Sequence, residues 1–182
     1  RWLVIQLSVR PWRVHVHGVD RLPRDGAYIL APSHRSMLDI TWSTLLTRRR
    51  IRFMGKASLF EIPVLGAAFE MLGAFAVERD GNDRAPLRAS LDILSAGEVL
   101  AVFPEGTRHH GREIQDLQPG AAYLALKAQV PIVPIGIAGT EEPFRSGRRF
   151  PRFEPGVIVV GQPIVPAPRT GSVVKRDLVD QL

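Results

Sequence analysis

His34 and Asp39 are the residues of this sequence best suited to move a proton. An imidazole has an ordinary pKa of about 6.5, so it accepts a proton at neutral pH, and a nearby carboxylate fixes its tautomer and stabilises the imidazolium that forms. The pair therefore predicts a general base that activates a hydroxyl group. Five positions correspond to roughly 140° around an ideal helix, so one straight helix would not place both side chains on one face. We expect His34 to precede a helix and Asp39 to lie in its first turns.

The segment 33–39 also has a non-catalytic interpretation, in which Ser33 or Ser36 caps a helix and the histidine is incidental. A His followed five positions later by an Asp arises by chance in about one such chain in four, so the pair is weak by itself. A second pair, His15 and His17, has no third ligand at a useful distance, and we predict no metal site.

The composition fits one domain with a full hydrophobic core. The chain has 182 residues, of which 45% are hydrophobic, and it has no cysteine, which excludes disulfides, thiolate metal ligands and a cysteine nucleophile. The net charge is +6, and all but three of the 24 basic residues are arginines, whose planar guanidinium suits phosphate and carboxylate groups. Anionic substrates or an anionic lipid surface are therefore expected partners, although a solvated basic surface explains most of these arginines equally well.

Both ends of the sequence have the pattern of incomplete helices. Residues 1–11 predict either the end of an amphipathic helix in a membrane interface or an ordinary helix packed on the sheet. Residues 173–182 have the pattern of a helix cut short, so we interpret the sequence as a fragment. No apolar run reaches the roughly 18 residues that a membrane-spanning helix needs.

Between these ends, apolar strands alternate with amphipathic helices. The alternation predicts an α/β fold, a single layered domain over residues 1–182 with a mostly parallel or mixed central sheet flanked by helices. The predicted strands are 12–19, 27–31, 51–55, 74–77, 99–103, 131–137 and 157–161. The predicted helices are 39–46, 59–72, one that begins near Asn82 or Asp83 and stops at Gly97, and 119–129.

Polar residues follow the carboxyl ends of four predicted strands. In chain order they are His34, Lys56, Arg79, and Glu105 with Arg108. In open α/β sheets, ligands bind outside the carboxyl ends of the strands, so we expect these residues to share one site.

Four sequence blocks, in matching order and spacing, resemble the phospholipid/glycerol acyltransferase family, the PlsC-like enzymes that include lysophosphatidate acyltransferases. The blocks are HX4D at His34 and Asp39; a Gly, an aromatic residue and an Arg at Gly73, Phe75 and Arg79; Phe-Pro-Glu-Gly-Thr-Arg at 103–108; and an apolar run with two prolines at 130–134. The resemblance spans residues 14–165.

Two positions depart from the pattern of that family. The residue before His34 is usually Asn and is Ser33 here, which leaves open how the backbone of the histidine is held. The acidic residue before Arg79 is commonly Asp and is Glu78 here, a position where the family varies.

The resemblance implies transfer of a fatty acyl group from a thioester to a hydroxyl of a lysophospholipid, most often lysophosphatidate, or of glycerol phosphate. The donor would be acyl-CoA or an acyl carrier protein, with no other cofactor. It also implies a membrane surface as partner, at the cytoplasmic face of a membrane, with the chain peripheral or anchored by segments outside it. Nucleic acid is not an expected partner.

The resemblance also implies roles for the reacting and phosphate-binding residues. His34 would take the proton of the acceptor hydroxyl, and Asp39 would hold the imidazole by its other nitrogen. Arg79, Arg108 and Lys56 would bind the acceptor phosphate, the arginines bidentately.

The remaining block residues complete the expected substrate site. The backbone N–H groups of Gly106 and Thr107 would cradle phosphate or the developing oxyanion, since Gly lets the backbone come close. Glu105 would orient one of the site arginines or accept a hydrogen bond from an acceptor hydroxyl. Gly73 and Phe75 belong to the expected substrate-binding set.

Two other classes of function compete with acyl transfer. A serine hydrolase that uses Ser33 or Ser36 lacks the Gly-x-Ser-x-Gly elbow. A basic lipid- or nucleic-acid-binding module accounts for the charge but leaves the block 103–108 without a purpose. The acceptor lipid and the acyl chain length stay open, the latter depending on an apolar groove expected along residues 59–69.

Overall fold

Seven strands form one mixed sheet in the computed structural model, which describes residues 9–77, 84–109, 111, 113–141, 155–168 and 179. The strands are β1 (His15–His17), β2 (Tyr28–Pro32), β3 (Ile51–Lys56), β4 (Ala74–Val77), β5 (Val99–Ala101), β6 (Ile132–Ala138) and β7 (Val157–Val160). Their order across the sheet is β1-β7-β6-β2-β5-β3-β4. β2 to β6 all run in one direction. β7 pairs antiparallel with β6, and β1 pairs parallel with β7.

Helices cover both faces of the sheet. They are α1 (Leu38–Ser43), α2 (Pro63–Leu72), α3 (Arg84–Ser95) and α4 (Gly120–Ala128). Trp42 of α1 and Phe69 of α2 join the core on one face, and Leu94 of α3 and Leu124 of α4 join the core on the other. The predicted α/β layered fold with a mostly parallel or mixed sheet is confirmed.

The central position of β2 in the sheet explains why its sequence is a continuous apolar run. Tyr28 and Leu30 are fully buried in one core, and Ile29 between them is fully buried in the other. A strand covered on both faces has no solvent-facing positions, so its sequence does not alternate.

Pro134 lies inside β6 even though β6 has a neighbour on each side. Its carbonyl oxygen accepts the N–H of Gly161 at 2.8 Å, one residue beyond the end of β7. The proline nitrogen, which has no proton to donate, faces the same side, between the regular β6–β7 pairing that stops at Ile135 and the isolated bridge of Ile132 with Ile164.

Two predicted elements are shorter than expected. Arg10–Trp12 form a 3-10 turn that ends at Arg13 with a φ of 43°, so β1 is limited to three residues. Ala57–Leu59 form a separate 3-10 turn, and α2 begins at Pro63, where proline suits a first helical position.

Several predictions fall on residues outside the described ranges. These are most of the helices expected at 1–11 and 173–182, the caps at Asn82 and Asp83, and the positions of Glu78 and Arg79. In the part of the chain that the structure describes, no helix combines the length and apolar character that crossing a membrane requires.

Candidate active site

The candidate site lies along one edge of the sheet, where four adjacent parallel strands end. β2, β5, β3 and β4 are neighbours in that order, and all four point their carboxyl ends to the same edge. His34 follows β2, the block 103–108 follows β5, and Lys56 ends β3. Neighbouring strands lie roughly 4.8 Å apart, so β2 and β4 are separated by about 14 Å at this edge. The structure joins His34 to Glu105 directly and places the end of β3, with Lys56, at the same edge of the sheet, whereas a shared substrate site stays a prediction.

His34 and Asp39 form the predicted pair. His34 lies in the loop after β2, and Asp39 lies in the first turn of α1. The distance between His34 Nδ1 and Asp39 Oδ2 is 3.0 Å. Because an ionised carboxylate only accepts hydrogen bonds, Nδ1 carries the proton and Nε2 keeps its lone pair. Nε2 is therefore the atom that can take a proton from a substrate.

The loop between the two residues wraps around the Asp39 carboxylate. Asp39 is fully buried, and its Oδ2 also accepts the backbone N–H groups of Arg35 at 2.6 Å and Ser36 at 2.7 Å. Three donors thus converge on one oxygen, while Oδ1 has no hydrogen-bond partner among the described residues. The loop backbone and the imidazole are consequently fixed by the same atom.

His34 is also held by stacking of its ring and by hydrogen bonds of its backbone. Its ring stacks on Phe103 with 4.0 Å between centroids and an interplanar angle of 26°. The His34 N–H donates to Glu105 Oε1 at 2.9 Å, and the His34 carbonyl accepts the N–H of His109 at 3.1 Å. The side chain keeps 13% of its surface exposed, so the ring is not sealed in the interior.

Ser33 stands where the family usually has Asn, and its hydrogen bonds show how the backbone before His34 is held. Its hydroxyl accepts the N–H of Ile137 at 3.0 Å and donates to the Ile137 carbonyl at 3.3 Å, and its own N–H donates to Ile135 at 2.9 Å. The residue before His34 is thus tied to β6. The Ser36 hydroxyl accepts the N–H of Leu38 at 3.3 Å, so both serine hydroxyls are engaged with backbone.

Glu105 occupies a different position from the one expected. It is 4% exposed, and both its oxygens accept hydrogen bonds from Arg35 Nη1, at 2.8 and 2.6 Å. Burial alone would raise the pKa of Glu105, but the N–H of His34, the Arg35 guanidinium and the N–H of Gln115 together hold that pKa below its ordinary value. An orienting role is retained, but the arginine that Glu105 holds is Arg35.

Arg35 is the residue that the sequence analysis missed. A signal was present, because a carboxylate placed beside a phosphate site needs a cation to compensate it, and Arg35 is the arginine nearest to His34 in the sequence.

The rest of the block 103–108 forms the exposed rim of the site. Gly106 has a φ of 71°, in the left-handed region that glycine adopts readily. Its N–H donates to the Phe103 carbonyl at 3.0 Å, so in this structure the group is engaged within its own turn, and its expected role toward a substrate oxygen stays a prediction. Thr107, Arg108 and, on the neighbouring strand, Lys56 are exposed.

The structure places Gly73 at the amino end of β4 and Phe75 within that strand, and their assignment to substrate binding stays a prediction. Gly73 ends α2 with a φ of 102° and precedes β4, so it lies at the opposite edge of the sheet from His34. A Cβ there would lie 2.2 Å from the Ile51 carbonyl oxygen, which explains the glycine structurally. Phe75 packs with the core on the α3 and α4 face, with the Arg52 guanidinium 5.9 Å from its ring centre.

A cavity lies on the α4 face of the sheet. Its volume is about 1270 Å³, with apolar walls from β6, β7 and α4, and its lining includes Arg35, Glu105 and Val179. Of the described residues, His34 and Asp39 do not line it. No cluster of three or more metal-ligating side chains occurs within the described ranges.

Known proteins resemble this chain over most of its length. The Acyltransferase family model matches residues 13–138. A chloroplast 1-acyl-sn-glycerol-3-phosphate acyltransferase of Brassica napus is 30% identical over 95% of this chain and 49% of its own length, and a Bacillus subtilis protein named 1-acyl-sn-glycerol-3-phosphate acyltransferase is 28% identical over 89% of this chain and 78% of its own. The chain thus spans about half the length of the Brassica relative.

Among solved structures, that of the 1-acyl-sn-glycerophosphate acyltransferase PlsC from Thermotoga maritima superimposes with a TM-score of 0.74, covering 99% of this chain and 75% of that one at 23% identity. At this identity the likeness concerns the fold. The family model covers more than half of the chain and includes the His34–Asp39 pair and the block 103–108. The chain therefore belongs to the acyltransferase family.

Proposed function

We propose that the chain transfers a fatty acyl group from an acyl thioester to the free hydroxyl of 1-acylglycerol 3-phosphate, lysophosphatidate. The observation that carries this proposal is the 3.0 Å contact between His34 Nδ1 and Asp39 Oδ2, which leaves Nε2 free as a base at the edge where four strands end. The names of the Brassica and Bacillus relatives support the acceptor.

The chemistry needs no nucleophile from the protein. Nε2 of His34 takes the hydroxyl proton as the acceptor oxygen attacks the thioester carbonyl, and Asp39 stabilises the imidazolium. When the tetrahedral intermediate collapses, the carbon–sulfur bond breaks and the imidazolium returns the proton to the thiolate. The products are a diacylglycerol phosphate ester and a free thiol, with no change in oxidation state. Positioned base catalysis of this kind contributes roughly 10²- to 10⁴-fold to the rate.

The acceptor phosphate would be bound by the cations of the same edge. Lys56 is exposed at the end of β3, and Arg108 is exposed in the segment that follows β5; both strands end at the same edge of the sheet as β2, which precedes His34. Arg79, which lies outside the described residues, follows the end of β4 in the sequence and is assigned to the same role. An arginine binds phosphate through two parallel hydrogen bonds, which also orients the substrate.

A lipid substrate requires the site to meet a membrane, and α2 offers a surface for this contact. α2 leads from the carboxyl end of β3 to the amino end of β4, so its first turn lies at the site edge. Apolar side chains are exposed there, with Ile62 at 50% and Val64 at 85%. Together with the net charge of +6, these residues favour peripheral binding to an anionic lipid surface, at the cytoplasmic face of the membrane.

The proposed reaction can be tested by measuring the thiol that the thioester donor releases. Acyl-CoA and an acyl carrier protein both release a thiol, which a thiol-reactive dye measures directly, and no further cofactor is required. We expect lysophosphatidate to accelerate thiol release from an acyl thioester by the wild-type chain, and His34→Ala to abolish this acceleration while leaving the circular dichroism spectrum unchanged. Retention of the wild-type rate in His34→Ala would overturn the assignment of the base. A panel of other lysolipids tests the acceptor, and a faster reaction with any of them would replace lysophosphatidate.

A further inference from the structure

We propose that Arg35 and Glu105 are a positioning pair, which sets the location of the His34 base by joining its backbone to Gly111, Glu113 and Gln115. Neither side chain reaches the reacting nitrogen, so both act through His34. The kinetic part of this inference rests on the proposed function, whereas its spectroscopic part does not.

The Arg35 guanidinium contacts four parts of the chain, one of which is Glu141, whose Oε1 lies 3.5 Å from Nε. Nη1 donates to both oxygens of Glu105, at 2.8 and 2.6 Å, and to the His34 carbonyl at 3.1 Å. Nε donates to the Gly111 carbonyl at 3.0 Å, and Nη2 donates to the Glu113 carbonyl at 2.8 Å. All three nitrogens of the fork are therefore used, a geometry that the single nitrogen of lysine cannot reproduce.

Glu105 makes the complementary set of contacts. Oε1 accepts the N–H of His34 at 2.9 Å, and Oε2 accepts the N–H of Gln115 at 3.3 Å. The side chains of Arg35 and Glu105 are 7% and 1% exposed. The carboxylate thus accepts hydrogen bonds from the backbone of the catalytic histidine and from the backbone of Gln115.

Stability alone does not account for this arrangement. A buried ion pair gains little over well-packed apolar side chains, because desolvation of both charges offsets their attraction. What distinguishes this pair is where its contacts end, since they include both polar backbone groups of His34. A shift of the His34 backbone would lengthen the 3.0 Å contact between Nδ1 and Asp39, and with it would weaken the control of the tautomer.

The test uses Arg35→Lys and Glu105→Gln, both of which keep the side-chain size close to the original. The matched control is Arg52→Lys, because Arg52 also contacts a glutamate, Glu98 at 3.8 Å, but lies within β3. We expect kcat to fall by about 10- to 100-fold in the two test variants, as a displacement near 1 Å produces. The KM for lysophosphatidate should change by less than about threefold, because substrate contacts are retained. Arg52→Lys should leave both constants unchanged.

The second readout is the ¹⁵N NMR spectrum of the His34 imidazole, assigned with His34→Asn. In the wild type we expect the neutral ring to carry its proton on Nδ1, and in Arg35→Lys and Glu105→Gln we expect a mixture of the two tautomers. Unchanged kcat and an unchanged tautomer would overturn the proposal. A raised KM with normal kcat in Glu105→Gln would also overturn it, in favour of direct substrate binding by Glu105. If the wild type released no thiol, the proposed function would fail, and the NMR spectrum would still decide whether the pair positions His34.

Discussion

Asp39→Asn is the perturbation that most directly separates charge from geometry at this site. The amide oxygen of Asn can still accept the N–H groups of Arg35 and Ser36, so the loop should keep its shape. What disappears is the negative charge 3.0 Å from Nδ1 of His34. With an effective dielectric constant of about 20, the attraction between an imidazolium and a carboxylate at that distance is roughly 5.5 kcal/mol.

Converted into a rate, this energy corresponds to a loss of about 10⁴-fold. The free-energy cost of removing the charged ring from water offsets part of this attraction. We therefore expect kcat to fall by about 10²- to 10⁴-fold. The measurement is thiol release from a saturating acyl thioester with lysophosphatidate, with Asp92→Asn on the exposed side of α3 as the control. A folded Asp39→Asn protein with kcat within about threefold of the wild type would refute the role of the carboxylate.

Three further predictions concern the fold, the pH dependence and the membrane. Gly73→Ala should destabilise the protein by at least about 2 kcal/mol in urea unfolding, because alanine resists a φ of 102° and its Cβ would meet the Ile51 carbonyl; a raised KM at normal stability would instead support a role of Gly73 in substrate binding. Since the folded-state pKa of Glu105 lies below the ordinary 4.5, its contribution to stability is present above that pH and is lost as the pH falls through the folded-state pKa. Glu105→Gln should therefore flatten the pH dependence of the thermal midpoint below about pH 4.5, and an unaltered acid limb would contradict this. Val64→Asp should weaken binding to anionic vesicles by about 10- to 100-fold in a sedimentation assay, with Val19→Asp as an equally apolar control, and equal losses in both would argue against α2 as the contact.

The parts of the site that could be predicted are those set by local geometry. The five-residue spacing of His34 and Asp39 excluded a shared helix face, and the structure places the histidine before α1 and the aspartate in its first turn. Strand polarity predicted that His34, Lys56 and Glu105 would reach one edge, because this requires only that the strands be parallel neighbours.

The parts that could not be predicted depend on direction along a strand and on contacts between distant residues. Gly73 directly precedes β4, and the four residues of that strand extend about 13 Å, so Gly73 lies at the edge of the sheet opposite to the one where β4 ends. Arg35 and Glu105 are separated by 70 positions, and no periodicity in the sequence connects them. The pairing depends on the adjacency of β2 and β5, which are not consecutive strands.

The hydrogen bonds that the described residues donate to the Asp39 carboxylate all reach one of its two oxygens, and this fixes where the imidazole binds. Because Oδ2 receives three donors and Oδ1 receives none from the described chain, the imidazole cannot move to the other oxygen without leaving the atom that organises its own loop. The ring is thus held at one oxygen, and Nε2 is the nitrogen left to exchange a proton. In the proposed reaction, the acceptor hydroxyl and the departing sulfur would both meet this one nitrogen, the first to give up a proton and the second to receive it.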